Sequence, residues 1–138
     1  MDQFRSHKNL VVWQKSIVFA GKVYAATRAL PSDEHATLRD ELRRGAVMIA
    51  SKISEGHARK SRKSFLECLE TANSTLSELE TQITIGVEQN YLRDASLTDD
   101  VEEIGRLLSA LIGTITTARQ LAHAKACAPS ASARPAAR

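Results

Sequence analysis

Apolar residues recur at steps of three and four over most of the chain, which is the spacing of one face of an α-helix. Four segments show this period, and short polar connections separate them. Their predicted core stripes are, in chain order, Leu10, Trp13, Ile17, Ala20, Tyr24 and Thr27; Leu38, Leu42, Gly45, Ile49 and Ile53; Phe65, Leu69, Ala72, Leu76, Leu79 and Ile83; and Val101, Ile104, Leu108, Leu111, Ile115, Ala118 and Ala122. The pattern predicts an all-α fold, an antiparallel up-down-up-down four-helix bundle.

Capping and helix-breaking residues mark the ends of these helices. Pro31 disfavours helical geometry in the residue before it, so the first helix should end at Leu30. Gly56 and Asn90 stand where a left-handed residue would end the second and third helices. Ser61 or Ser64 is a candidate N-cap for the third helix. The four segments are therefore predicted to be separate helices joined by tight turns.

Two of the helices carry more apolar residues than one core stripe needs. The surplus residues are Val12, Phe19 and Val23 on the first helix and Leu107, Ile112 and Leu121 on the fourth. Each large side chain left in water forgoes about 1.5 to 3 kcal/mol of burial. A second apolar stripe therefore predicts an interface with another chain. The alternative is a wide core stripe on a slightly rotated helix.

Length and composition fit one domain without a membrane segment. The chain has 138 residues, 43% of them apolar and only 4% aromatic, which favours helices over a β-sandwich. We expect an N-terminal arm over residues 1–9, the bundle over 10–125, and a disordered Ala/Pro/Ser/Arg tail over 126–138. No run approaches the ~20 apolar residues of a membrane span, and we do not expect "MDQFRSHKN" to begin a signal peptide, because no apolar core follows its charges. The sequence therefore predicts a cytoplasmic protein without a membrane partner.

Residue patterns typical of catalysis or metal binding are missing from the sequence. There is no glycine-rich phosphate loop, no nucleophile elbow and no Glu-x-x-His pair of the kind that holds metals in helical bundles. His123 and Cys127 are four residues apart, but two ligands make an incomplete metal site. Cys68 has no histidine within a helical turn and is predicted to be a small hydrophobic residue. We expect no enzyme activity, metal or cofactor.

Positive charge is concentrated between the second and third helices, in the stretch "SKISEGHARKSRKSFLE". Its candidate nucleic-acid-binding residues are Lys52, Arg59, Lys60, Arg62 and Lys63. The net charge of +3 is mild, so the prediction depends on this clustering. No aromatic residue interleaves the basic run, which favours contact with phosphate backbone or shape over base stacking. The alternative interpretation is a solvated turn without a ligand.

The motifs "LVVWQKS", "ELRRGAVMIASKISEG", "ARKSRKSFLE" and "STLSELETQ" give the chain a resemblance to a known family. In order and spacing, over about residues 9 to 92, the chain resembles the bacterial 23S rRNA intervening-sequence family, also called the S23 ribosomal protein family. The positions that match the family motif are Trp13, Lys15, Arg43, Arg44, Ser51, Ile53, Glu55, Gly56, Arg59, Phe65, Leu79, Glu80 and Thr81. The resemblance implies a homopentamer of bundles packed around an axis, an association with RNA, and no defining enzymatic activity.

A more distant resemblance concerns the accessory variability proteins of diversity-generating retroelements, which are basic pentameric bundles. It implies a second class of function, a protein-interaction scaffold that contacts a reverse transcriptase and nucleic acid. The leading hypothesis from the sequence is an oligomeric bundle that binds structured RNA or DNA through the basic turn. The scaffold is the alternative.

Overall fold

Four long α-helices make up the fold of residues 6–127, which are the residues that the computed structural model describes. They are α1 (Val11–Thr27), α2 (Asp40–Ala58), α3 (Arg62–Glu88) and α4 (Ser96–Cys127). A short 3₁₀ helix, His7–Asn9, precedes α1, while a 3₁₀ turn, Ser32–Glu34, and a π-helical segment, His35–Arg39, lead into α2. Residues 6–127 contain no β-strand. The prediction of an all-α fold with four helices is confirmed.

Consecutive helices run in opposite directions, because residues early in one helix meet residues late in the next. For α1 and α2 the contacts are His7 with His57 and Thr27 with Arg43, and for α2 and α3 they are Gly45 with Leu79 and Gly56 with Cys68. For α3 and α4 they are Arg62 with Ala118 and Leu76 with Gly105. For α1 and α4 they are Lys15 with Glu103 and Lys22 with Asp100. The last two pairs join α1 to α4 and close the bundle. The α2–α3 and α3–α4 loops are short, as an up-down topology requires, whereas the α1–α2 connection, residues 28–39, is longer than the predicted tight turn and contains the 3₁₀ turn and the π-helical segment.

Two of the four predicted helix ends are confirmed, at Ser61 and Asn90, whereas α1 ends at Thr27, before the predicted Leu30, and the prediction at Gly56 is wrong. Ser61 caps α3 by accepting a hydrogen bond from the Ser64 amide at 3.3 Å. At the other end of α3, Asn90 has a φ of 62°, and the Tyr91 amide donates to the Gly86 carbonyl at 2.8 Å. This is a Schellman ending with asparagine in the left-handed position. Gly56, in contrast, lies within α2, and no glycine in the described part of the chain has a positive φ.

The glycine at position 56 permits the close approach of α2 to α3. A Cβ atom at Gly56 would lie 2.7 Å from the Cβ of Cys68 and 2.8 Å from Cδ2 of Phe65. These distances are shorter than carbon atoms tolerate, and the Cys68 Cβ cannot move without its backbone. Glycine is therefore needed here for helix packing and not for helix termination.

The core face of α1 differs from the predicted one. The buried residues of α1 are Val12, Ser16, Phe19, Val23 and Thr27, whereas Ile17 and Tyr24 of the predicted stripe are exposed. The hydroxyls of Ser16 and Thr27 donate to the carbonyls of Val12 and Val23, both at 2.7 Å, so both polar side chains can be buried. The predicted core stripe of α1 was therefore rotated away from the true one.

This rotation corrects the predicted oligomer interface. Val12, Phe19 and Val23 have exposed fractions of 4%, 1% and 1%, so they fill the core of one chain and cannot contact another. Leu107 and Ile112 are partly buried and pack against the same core, as the wide-stripe alternative expects. Of the six predicted interface residues, Leu121 alone is well exposed, at 66%.

The predicted arm and tail lie largely outside the described residues. Residues 6–9 of the arm are described, and they include the 3₁₀ helix before α1. Residues 126 and 127 of the tail form the end of α4. None of the described helices combines the length and apolar character needed to cross a bilayer.

Candidate nucleic-acid interface

A short turn between α2 and α3 gathers the predicted basic residues at one end of the bundle. The Arg59 amide closes α2 by donating to the carbonyls of Glu55 and Gly56, and Ser61 already caps α3. We call Lys52, Arg59, Lys60, Arg62 and Lys63 the basic cluster. All of them except Lys52, which is partly buried, are exposed to solvent. The structure therefore brings the five predicted residues together.

One carboxylate, that of Glu55, forms ion pairs with two members of the basic cluster. Lys52 Nζ lies 2.9 Å from Glu55 Oε2, and Arg59 Nη2 lies 2.5 Å from Glu55 Oε1. The hydrogen bond from Lys52, followed by that from Arg59, lowers the pKa of Glu55 below its ordinary value. Glu55 therefore stays negative at neutral pH and competes with any phosphate that approaches these two cations.

The end of α4 adds charge that the sequence analysis did not assign to this surface. Arg62 Nη1 donates to the Ala118 carbonyl at 3.4 Å and so links the start of α3 to the late part of α4. Arg119 and His123 line an open cleft of about 620 Å³ beside Leu66. Arg119 and Lys125 are exposed. The predicted antiparallel order of α3 and α4 could have indicated this, because it places the end of α4 beside the α2–α3 turn.

Four rings lie next to the basic cluster: His57 and Phe65 flank the run Arg59–Lys63 in sequence, and the other two come from the start of the chain. The His7 ring centre is 5.0 Å from that of Trp13 and 6.2 Å from that of His57, and His57 is 6.0 Å from Phe65. All three contacts are edge-to-face, and all four side chains are partly exposed. We call Trp13, His7, His57 and Phe65 the aromatic row. The sequence favoured contact with phosphate backbone or shape over base stacking because no aromatic residue interleaves the basic run, yet the fold places rings from the N-terminal segment, α2 and α3 beside that run.

Arg43, a family-motif residue, holds α1 to α2 at the other end of the bundle. Its Nε donates to Thr27 Oγ1 at 2.8 Å, and its Nη2 donates to the Tyr24 carbonyl at 3.3 Å. The guanidinium carbon also lies 4.6 Å from the centre of the Tyr24 ring, within the range of a cation–π contact. The role of Arg43 in the monomer is therefore to fix the packing of two helices.

The other motif residues divide between the basic end and the rest of the bundle. Lys15 pairs with Glu103 of α4 at 3.3 Å, and Arg44 pairs with Glu41 of its own helix at 3.2 Å. Ser51 and Glu80 are exposed. Motif residues at or next to the basic end are Trp13, Glu55, Gly56, Arg59 and Phe65. The family motif therefore includes residues that hold helices together and residues at the basic end of the bundle.

The opposite end of the bundle is acidic. Acidic residues there, at the helix ends and in the loops, are Asp33, Glu34, Asp40, Glu41, Glu88, Asp94, Asp99 and Asp100, and basic residues are Lys22, Arg28, Arg39, Arg43, Arg44 and Arg93, so acidic residues are in modest excess. Charge is therefore separated along the bundle axis, which the net charge of +3 conceals. The basic end therefore attracts a polyanion more strongly than the opposite end does.

The described residues do not form a metal site. In residues 6–127, no three or more His, Cys, Asp or Glu side chains are placed to hold a metal ion. Of the two candidates from the sequence, His123 lies on the exposed end of α4, and the side chain of Cys127 lies outside the described part.

Comparison with known proteins identifies relatives of the chain. A family model described as "23S rRNA-intervening sequence protein" matches residues 8–110. A crystal structure from Bacteroides thetaiotaomicron, described as a protein with unknown function from the S23 ribosomal protein family, aligns with a TM-score of 0.69 and 24% sequence identity. The alignment covers 75% of this chain and 96% of that chain, and at this identity it shows the fold alone. No match is found among curated proteins. The family predicted from the sequence motifs is confirmed.

Proposed function

Because the chain belongs to the 23S rRNA-intervening sequence protein family, we propose that it is a non-enzymatic helical bundle that binds structured RNA, or other nucleic acid, through the basic cluster. The supporting observation is the concentration of Lys and Arg at one end of the bundle. The short α2–α3 turn exposes Arg59, Lys60, Arg62 and Lys63, and α4 adds Arg119. Contacts of this kind neutralise phosphates and release counterions, so the affinity falls steeply with salt.

Charge reversal within the basic cluster tests this function. Lys60 and Lys63 are the residues to change, because both are exposed and neither forms an ion pair within residues 6–127. The double variant Lys60→Glu/Lys63→Glu should weaken the binding of a fluorescently labelled RNA hairpin more than tenfold at low salt, and flatten its salt dependence. The measurement is fluorescence anisotropy over a salt series.

The matched control carries the same change in net charge at the opposite end. Arg28 and Arg93 are both exposed there, so Arg28→Glu/Arg93→Glu should bind the hairpin nearly as the wild type does. Equal weakening by the two double variants would show that binding follows net charge and not the basic cluster. That result would reject the proposed surface.

We also propose a ring-like homo-oligomer, a pentamer by the family resemblance, with its interface moved to the opposite face of α1. The side of α1 that faces away from the core exposes Val11, Ile17, Val18 and Tyr24. Their burial between copies would stabilise an assembly by about 1.5 to 3 kcal/mol for each side chain fully removed from water. Such an assembly would repeat the basic cluster on every subunit and strengthen RNA binding through multivalency.

Light scattering tests the assembly. The wild type should have the mass of an oligomer, and Val18→Lys should lower that mass because Val18 is 62% exposed on α1. Val87→Lys is the control, since Val87 is an exposed valine of α3, the helix diagonally across the bundle. A monomeric wild type, or dissociation by both variants, would reject this interface.

The same apolar side of α1 supports the second candidate function, a scaffold for a protein partner such as a reverse transcriptase. A partner protein would cover Ile17, Val18 and Tyr24 in place of a second copy. The two functions separate in one experiment. Partner binding that survives Lys60→Glu/Lys63→Glu and is lost with Val18→Lys would favour the scaffold.

A further inference from the structure

We propose that the aromatic row stacks on unpaired bases, so that the preferred ligand of the basic end is single-stranded nucleic acid, as in a loop or bulge of a structured RNA. This inference rests on the proposed function, which assigns the basic cluster to phosphate. The two surfaces are adjacent: His57 is two residues before Arg59, and Phe65 is two residues after Lys63. A strand whose phosphates meet the cluster therefore has its bases within reach of the rings.

The four rings keep part of their surface open to solvent, so the packing among them does not bury the row. Trp13 and Phe65 pack against the core through part of their surface, yet both are partly exposed. His7 lies between Trp13 and His57 and belongs to no long helix. Its place in the row is fixed by a 3₁₀ helix capped by Ser6, whose hydroxyl accepts from the Lys8 amide at 3.2 Å.

The combination of rings and cations is typical of surfaces that bind single strands. Such proteins pair a positively charged path for the backbone with aromatic side chains that stack on successive bases. In a duplex, the bases already stack on one another and present only their edges. A surface made of cations alone should bind the duplex at least as tightly, because the duplex has the higher density of phosphate charge, whereas one that includes the aromatic row should prefer the single strand.

Trp13 provides a direct readout, because it is the only tryptophan of the chain. The probes are an oligouridylate and an RNA duplex of the same length, each titrated into the full-length protein at low salt. Stacking of a base on Trp13 quenches its fluorescence, so we expect the oligouridylate to quench the emission and to bind more tightly than the duplex. Trp13 itself is left unchanged because it packs against the core.

Substitution of the two histidines tests the row without removing a core residue. His7→Ala and His57→Ala should each lower the affinity for oligouridylate by about fivefold or more and leave the affinity for the duplex unchanged. The matched control is His35→Ala, which removes the same side chain from the π-helical segment at the opposite end. It should change neither affinity.

The possible outcomes separate this inference from the proposed function. An affinity for the duplex that equals or exceeds that for oligouridylate, or an unchanged Trp13 emission, would overturn base stacking and leave the basic cluster as a phosphate-binding surface. An unchanged affinity for oligouridylate in both histidine variants would overturn it as well. Absence of binding to either RNA at low salt would reject the proposed function and the inference with it.

Discussion

Glu55→Gln should increase the affinity of the protein for nucleic acid, although it removes a partner from two residues of the binding surface. In the wild type, Glu55 holds Lys52 at 2.9 Å and Arg59 at 2.5 Å, so both cations must leave a carboxylate before they contact a phosphate. Glutamine keeps the size of the side chain and removes its charge. The variant therefore leaves both cations available to the ligand.

The size of the effect follows from the number of cations released. Each phosphate contact on a single strand contributes about 0.7 to the slope of log affinity against log salt, so two contacts add about 1.4. When the salt concentration falls from about 0.2 M to about 0.05 M, the affinity of the variant should rise about sevenfold more than that of the wild type. Because the pKa of Glu55 is already lowered, the carboxylate of the wild type stays charged over about pH 5 to 8, and the difference should persist across this range.

The assay is fluorescence anisotropy of a labelled single-stranded RNA over a salt series. Glu67→Gln is the matched control, since Glu67 is an exposed carboxylate near the start of α3 that forms no ion pair with the basic cluster in residues 6–127. Each of the two substitutions removes one negative charge. A slope for Glu55→Gln equal to that of the wild type, or an equal gain in the control, would refute the competition between Glu55 and phosphate.

Three further predictions concern stability, each measured by chemical denaturation. Gly56→Ala should lower the free energy of unfolding by about 1 to 3 kcal/mol, because the added methyl group overpacks the contact with α3. Gly113→Ala, the control at an open helical position, should raise the free energy of unfolding by about 0.5 to 1 kcal/mol. Similar effects at both sites would contradict the packing argument. Arg43→Lys should cost about 1 kcal/mol because an ammonium cannot keep both hydrogen bonds to α1, and a variant as stable as the wild type would show that the clamp contributes nothing. Asp94→Ala should cost about 1 kcal/mol at neutral pH, since Asp94 Oδ1 accepts from the amide and hydroxyl of Ser96 at the start of α4. The Ser96 hydroxyl lowers the pKa of Asp94, so this contribution is present above the ordinary aspartate pKa and disappears as the pH falls through the lowered value; a difference that persists in acid would contradict the assignment.

The helices could be predicted from the sequence, but the core face of α1 could not. In α2, apolar residues lie mostly on one side, so their period identifies the core. In α1, apolar residues occur on both sides, and the side with Ile17 and Tyr24 contains the larger ones. The buried side contains Ser16, which reads as polar in a sequence. The intrahelical hydrogen bond of its hydroxyl, which a pattern of hydrophobicity does not register, allows Ser16 to be buried.

The candidate interface was predictable only where it is contiguous in the chain. Four of the five residues of the basic cluster fall within Arg59–Lys63, so the sequence alone brings them together. Arg119 comes from α4, and the rings of Trp13 and His7 come from the start of the chain. Their proximity depends on which helix ends meet in the bundle. The competition from Glu55 depends on side-chain geometry and could be seen only in the structure.

The separation of charge along the bundle gives each subunit an electric dipole parallel to its long axis. In a ring of copies with parallel axes, these dipoles point the same way and repel one another, and the basic ends crowd together on one face. Added salt would relieve this repulsion, since the Debye length falls to about 8 Å at physiological ionic strength, while the same salt weakens the attraction of a polyanion. Assembly and ligand binding would then respond to salt in opposite directions, and a bound RNA would act as the counterion that holds the ring together.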